Sequence, residues 1–272
     1  MSATPATEPS TSARIDLRDI SKTFRDGHRE VPVLDHVDFH AEAGEFVSVI
    51  GPSGCGKSTL FKLIAGLETA DSGAVELNGR PLDPSSHPVA YMPQKDLLLD
   101  WRSVIANVTL PLEIAGTKRG AAKARAQAMF PRFGLEGFED AYPFSLSGGM
   151  RQRAALMRTV IQERPLMLLD EPFGALDSLT RTDMQEFLLD IWDEVGHTIV
   201  FITHDIREAI YLSDRIYVMT ARPARVRMEV AVDIPRPRPL DVISTPRFGE
   251  LEARLLHALR EENRQQEQEI VG

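Results

Sequence analysis

At 272 residues and 43% apolar content the chain is long enough to bury a substantial core. Its formal charge of −9 argues against a protein that holds nucleic acid by neutralising phosphates, and its single cysteine excludes both an internal disulfide and a zinc ribbon. No run of about eighteen apolar residues occurs, so no spanning helix is expected, and the opening residues lack the basic and apolar regions of a secretory signal.

Residues 1–13 are rich in Ser, Thr and Pro and are expected to form a disordered tail. Residues 14 to 50 then alternate as strands, with Phe24 among residues of ordinary loop character. Glu30-Val-Pro-Val-Leu34 precedes Asp35-His-Val-Asp-Phe39, and Glu45-Phe-Val-Ser-Val-Ile50 reads as a buried strand. Directly after it comes Gly51-Pro52-Ser53-Gly54-Cys55-Gly56-Lys57-Ser58-Thr59, which fits G-x-x-x-x-G-K-[ST]. Backbone N–H groups of such a loop wrap phosphates, the next helix adds its positive end, Lys57 reaches the outer phosphates and the Ser58 hydroxyl ligates Mg²⁺. Ser58 to Ala65, stopped by Gly66, supplies that helix. Cys55 has two readings: a thiol made alkylation-prone by Lys57 and the helix end, or a small side chain chosen to fit the loop.

Asn78-Gly79 marks a turn between two short strands, and Lys95 to Ser147 reads as mainly helical, with helix formers concentrated over Ala121–Phe130 and Pro131 near their end. Leu97-Leu-Leu99 and Trp101 form an aromatic-aliphatic cluster that is either local core or a docking pocket. A second Gly-rich turn follows in Leu146-Ser147-Gly148-Gly149-Met150-Arg-Gln-Arg153, opening a helix from Met150 to Glu163. One nucleotide needs only one cradle, so two such turns imply a nucleotide clamped between two protein surfaces.

Leu166-Met-Leu-Leu-Asp170-Glu171-Pro172 has the unbroken apolar run of a strand buried on both faces, and ligands bind beyond the carboxyl ends of such strands. Asp170 then arrives where Mg²⁺ would be held, and Glu171 is placed to orient or deprotonate an attacking water. Ser178 to Val195 is the clearest helix. Its apolar stripe is Met184, Phe187, Leu188, Ile191, Trp192 and Val195, Gly196 is its stop, and Asp177 stands at its entrance. The apolar run Thr198–Thr203 leads to His204. A strand is expected to run to Ile234, Pro235-Arg-Pro-Arg-Pro239 reads as a stiff connector, and Pro246 to Glu269 as a charged helix solvated on most faces.

Taken in this order, the motifs resemble those of the ATP-binding cassette family, the nucleotide-binding subunits of ABC transporters. Ser147, Gly148, Gly149 and Met150 match its signature turn, with Met150 where glutamine is more usual. Gln94 is similar to the Q-loop glutamine, Ala175-Leu176-Asp177 to the D-loop, His204 to the switch histidine and Phe24 to the aromatic that stacks on adenine. The resemblance implies an α/β P-loop NTPase over 14–235, with a RecA-like core, an N-terminal antiparallel β subdomain and an inserted helical subdomain at about 95–150. It implies ATP and Mg²⁺ as cofactors, the metal held by Ser58, Gln94 and Asp170, with Glu171 and His204 catalytic. The implied partners are a second copy joined head to tail, integral membrane permease subunits and a separate solute-binding protein at the cytoplasmic face of the membrane, with no nucleic acid.

Gln94 to Val108, Pro172 to Arg181, Thr203 to Ala209 and Ala221-Arg-Pro223 are similar to the nitrate, sulfonate, taurine and pyrimidine-precursor importers. The rival class is a soluble cassette ATPase of DNA repair or translation. Those relatives carry long coiled coils, zinc modules or tandem cassettes, which this sequence does not contain.

Overall fold

Two sheets share the chain. The computed structural model describes residues 12–27, 29–174 and 176–271, and in it β1 (Ile15–Asp26), β2 (Arg29–Ala41), β4 (Ser72–Leu77) and β5 (Arg80–Pro81) form an antiparallel sheet in the order β2-β1-β4-β5. The second sheet runs β10-β9-β3-β8-β7-β6. It comprises β3 (Phe46–Ile50), β6 (Val89–Met92), β7 (Leu166–Asp170), β8 (Thr198–Ile202), β9 (Arg215–Met219) and β10 (Val226–Ala231). Its strands pair in parallel from β6 to β9, and β10 closes the edge antiparallel. The helices are α1 (Lys57–Ile64), α2 (Val104–Ile114), α3 (Arg119–Met129), α4 (Gly148–Val160), α5 (Ser178–Val195), α6 (Ile206–Leu212) and α7 (Pro246–Val271).

Every residue of β3, β7 and β8 is buried, as a parallel sheet covered on both faces requires. Successive side chains of a strand point to opposite faces, and here they enter two different cores. Val47, Val49, Leu166, Leu168, Val200 and Ile202 pack toward the antiparallel sheet and α1, whereas Phe46, Ile50, Met167, Leu169, Ile199 and Phe201 pack toward the helices on the other side.

Several elements differ from the sequence expectation. Between Lys95 and Ser147 only α2 and α3 are α-helical; Gly134 and Gly137 adopt positive φ and Pro143 opens a single 3-10 turn, so the stretch after α3 is mostly turns. The expected tail at residues 1–13 lies outside the described residues through residue 11. Ala13, however, is fully buried, with its N–H and carbonyl both hydrogen-bonded to Thr198 Oγ1. In the α5 stripe Met184, Leu188 and Ile191 are buried and Phe187 and Trp192 pack against them, while the side chain of Val195 lies outside the described residues. Gly196 ends α5 in the left-handed region at φ 69°.

The C-terminal segment is docked on the core along one face. Most described residues of α7 are exposed, as expected, but one stripe of Phe248, Leu251, Leu255 and Ala258 is buried in the main core, at spacings that a sequence rich in Glu and Arg obscures. The Pro-rich connector is likewise anchored. Arg238 is buried, and its guanidinium donates to the carbonyls of Ile210, Tyr211 and Ser213 at the end of α6 and to that of Ile234. Burial pushes that guanidinium down to about 10, with Arg236 adding to the shift. Among the described residues no helix is long and apolar enough to cross a membrane.

Candidate functional site

Parallel pairing aligns the carboxyl ends of β3, β8 and β7 on one rim: Val49 faces Ile202 and Asp170 faces Ile202 in the ladder. The loop after β3, the residue after β7 and the loop after β8 therefore meet, which is where an open parallel sheet binds ligands. They enclose a cavity of about 280 Å³ lined by Ser53, Gly54, Gly56, Lys57, Ser58, Thr59, Gln94, Glu171, Ile202 and Arg222.

The loop after β3 is shaped for phosphate. Gly56 sits at φ 131°, and a Cβ there would stand 2.9 Å from Val33 Cγ1, so the backbone reaches this position only as glycine. Helix α1 starts at Lys57 with no side-chain cap and no acidic residue in its first turn, leaving its N–H groups to an anion. Lys57 Nζ donates to the carbonyls of Gly51 and Pro52, each at 2.9 Å, so the ammonium is held over its own loop. Cys55 is buried, with Sγ 3.9 Å from Lys57 Nζ. Burial outweighs the nearby cation and pushes the thiol up, which favours the small-residue reading of Cys55 over the reactive one.

Asp170 at the end of β7 is 3% exposed; burial raises its carboxyl, opposed by the Ser58 hydroxyl that hydrogen-bonds to it. Ser58, Asp170 and the amide oxygen of Gln94 offer hard oxygen donors with few carboxylates, the set Mg²⁺ takes beside substrate phosphates. Glu171 follows at φ 50°, a left-handed conformation that a residue with a Cβ adopts only under local constraint. Its N–H donates to the Ile202 carbonyl at 2.9 Å and its carbonyl accepts from Gln152 Nε2 at 3.4 Å. These bonds hold the turn while the carboxylate faces the cavity, where Oε2 accepts from Gln94 Nε2 at 3.1 Å and lies 3.4 Å from His204 Nδ1. His204 itself is 64% exposed, free to reach toward whatever occupies the cavity.

Four residues here were given no role in the motif reading: Thr203, Gln185, Glu208 and Arg222. Thr203 Oγ1 accepts from the Asp205 N–H at 3.0 Å and donates to the buried Glu208, whose other carboxylate oxygen accepts from Gln185 Nε2 of α5 at 2.8 Å. This network ties the His204 turn to the helix that Asp177 opens. Burial pushes the Glu208 carboxyl up despite both donors. Glu208 sits on the buried side of a short apolar helix, which is the clue available in sequence. Arg222 comes from the turn after β9.

The remaining expected residues are not brought into this cavity. Ser147 caps α4, accepting from the Met150 N–H at 3.2 Å, and Asp177 caps α5, accepting from the Thr180 N–H at 3.1 Å. That amide holds the Asp177 carboxyl below the usual carboxylate range. Gly148 and Gly149 open α4, while Ala175 lies outside the described residues. Phe24 lies in β1, half-buried against the β1–β2 core with the Lys22 ammonium 5.3 Å from its ring centre.

The family model described as ABC transporter matches residues 34–174. The aliphatic sulfonates import ATP-binding protein of Bacillus cereus is 41% identical over 224 residues, covering 82% of this chain and 88% of that protein. The formylaminopyrimidine import ATP-binding protein of Halalkalibacterium halodurans is 45% identical over 201 residues, covering 74% and 78%. Among solved structures, the dimeric post-hydrolysis state of an ATP-binding cassette bound to ADP and Pi superposes with a TM-score of 0.74 at 29% identity. It covers 81% of this chain and all of that one.

Proposed function

This chain belongs to the ABC transporter family, and from that premise we propose that it is the ATP-hydrolysing subunit of an importer for a small anion or organic solute. The observation that carries the catalytic part is the Glu171 carboxylate, held at the rim of the phosphate cavity by Gln94 and within reach of His204.

Lys57, the loop amides and the start of α1 bind and orient the phosphates of ATP; Glu171 orients a water and accepts its proton; His204 stabilises the terminal phosphate. Ser58, Asp170 and Gln94 would hold Mg²⁺, which when bound neutralises charge on the phosphates.

Ser147, Gly148, Gly149 and Met150 leave their own chain's cavity and serve the nucleotide of a second copy, with Asp177 at the same junction. The dimeric cassette neighbour supports a dimer, in which the two copies of this chain are proposed to meet head to tail. Membrane permease subunits docked near Trp101 would convert closure and reopening into alternating access, with a separate solute-binding protein delivering the solute at the opposite face. The relatives act on solutes as unlike as aliphatic sulfonates and a formylaminopyrimidine, so solute choice is assigned to the partners rather than to this subunit. Those relatives favour transport over the DNA-repair or translation alternative.

The test is twofold. The purified chain should hydrolyse MgATP, and affinity purification from detergent-solubilised membranes should recover an integral membrane protein. Hydrolysis without any such partner would remove the importer reading.

A further inference from the structure

The phosphate cavity has a cation on its wall that the nucleotide motifs do not include. Arg222 lines it together with the Gly51–Thr59 loop, Gln94 and Glu171, and its Nη2 lies 3.9 Å from where a Cβ on Gly54 would stand. The guanidinium thus rests against the tip of the loop. Its neighbours in sequence are committed elsewhere: Arg225 pairs with Asp35, and Arg227 with Glu261 and Glu262. Among the described residues Arg222 has no carboxylate partner and is exposed.

The turn that presents it is held from three sides. Thr220 N donates to the Arg225 carbonyl at 3.0 Å and closes the turn. Ala224 N donates to the Val33 carbonyl at 2.9 Å, and the Ala224 carbonyl accepts from Asp35 N at 3.0 Å, which bonds the turn to β2. Ala221 N donates to Glu262 Oε2 at 3.3 Å, and Glu262 is buried in α7, the helix whose docked face was not expected. A guanidinium on so firm a support, unpaired and facing a cavity whose other cation is Lys57, has the charge and the planar fork to grip phosphate oxygens.

We infer that Arg222 is a second cationic ligand for the nucleotide's phosphates, presented by a turn that the C-terminal helix pins through Glu262. The inference rests on the reading of the cavity as a nucleotide site. It also gives α7 a part in nucleotide binding that a solvated appendage would not have.

Calorimetric titration of the full chain with MgATP tests it, using wild type, Arg222→Ala, Arg222→Lys and Lys57→Ala. Arg222→Ala should weaken binding about tenfold, and Arg222→Lys should recover part of that loss because it keeps the charge without the fork. The fall of affinity with added salt should be shallower in Arg222→Ala than in Arg222→Lys, and the melting temperature of either nucleotide-free variant should stay within about 1 °C of wild type because the side chain is exposed. Arg222→Ala binding within about twofold of wild type, while Lys57→Ala fails to bind, would overturn the inference and leave the nucleotide site standing. Equal loss in Arg222→Ala and Arg222→Lys with a lowered melting temperature would overturn it in favour of a packing role. A wild-type chain that binds no MgATP would remove both.

Discussion

Gln94 Nε2 donates to Glu171 Oε2 across 3.1 Å, joining a loop that follows the edge strand β6 to the carboxylate at the mouth of the phosphate cavity. Gln94 belongs to the segment that also displays Trp101, and that segment is fastened on its other side. Arg158 of α4 donates to the Leu97 carbonyl at 2.8 Å and also to that of Asp96, while Arg151 pairs with Asp96 at 3.1 Å. A displacement of the loop by a docked partner would therefore reach both the carboxylate and the start of α4, the helix that Ser147 caps.

Glu171→Gln should keep ATP affinity and lower turnover by about 10²-fold or more, because an amide fills the same space but cannot accept the water's proton. The ATP-bound dimer should then accumulate on gel filtration. Hydrolysis within about threefold of wild type, with no dimer, would remove Glu171 from the base role.

How much of this was legible beforehand depends on how far apart the causes lie. The loop at Gly51–Thr59, Asp170 and Glu171 were readable because their chemistry is local: a buried strand, a tight turn and a helix start occupy consecutive residues. The network of Thr203, Glu208 and Gln185 was not, because its hydrogen bonds join α5 to Glu208 of α6, 23 residues away in sequence from Gln185. Arg238 and the buried face of α7 were hidden for a related reason. Composition reports Pro, Arg and Glu as solvent-loving, yet one apolar residue per turn is enough to dock a helix, and a guanidinium enters a core when carbonyl groups await it. Cys55 stayed open between two readings because its distance to Lys57 is visible in sequence and the burial that opposes it is not.

Lys57→Ala should abolish nucleotide binding in the monomer, since it removes the cation closest to the loop. Ser147→Arg should spare that binding and block dimerisation by filling the facing phosphate site, at a cost of about 1 kcal/mol for the lost helix cap. Mixing the two variants should restore one composite site, built from the intact loop of the Ser147→Arg chain and the intact turn of the Lys57→Ala chain. Equal loss of ATP binding in both would mean that Ser147 works within its own chain.

Cys55 should resist alkylation. Its thiol titrates above the ordinary cysteine range because burial disfavours the thiolate, so at neutral pH the reactive form is scarcer than in an exposed cysteine and grows only as pH rises. Maleimide labelling of the native chain should be slow at pH 7, accelerate toward pH 9 and become fast in denaturant. Rapid labelling at pH 7 of folded protein would show that the thiolate is stabilised by Lys57 after all.

Arg238→Met should destabilise the fold by about 2–4 kcal/mol, because the side chain is nearly inaccessible and its removal orphans buried carbonyls on α6 and after β10. Arg236→Met, whose guanidinium bonds to Asp214 and the Leu212 carbonyl and lies over the Trp192 ring, should cost less because it is partly solvated. Urea unfolding of both variants checks the order. Equal and small losses would mean that the segment after β10 is a detachable connector, as its proline content suggests.

Trp101 is 76% exposed and Leu97 58%, whereas Leu98 is buried, so the cluster divides into an anchor and a displayed pair. The display is rigid. Buried Asn107 accepts from the Leu99 N–H at 2.7 Å and donates to the carbonyls of Leu99, Arg102 and Ser103, clamping the turn that carries Trp101. An indole held out in this way gains nothing for the isolated subunit, and aromatic anchors on fixed backbone are what an interface uses. Trp101→Ala should leave the melting temperature and the basal ATPase within experimental scatter of wild type and sharply reduce recovery with the membrane partner. Asn107→Ala should do the opposite first, lowering the melting temperature by releasing the turn and leaving its carbonyls unpaired. If Trp101→Ala instead melts well below wild type, with basal hydrolysis lost in proportion, its indole packs in solution and the coupling surface lies elsewhere.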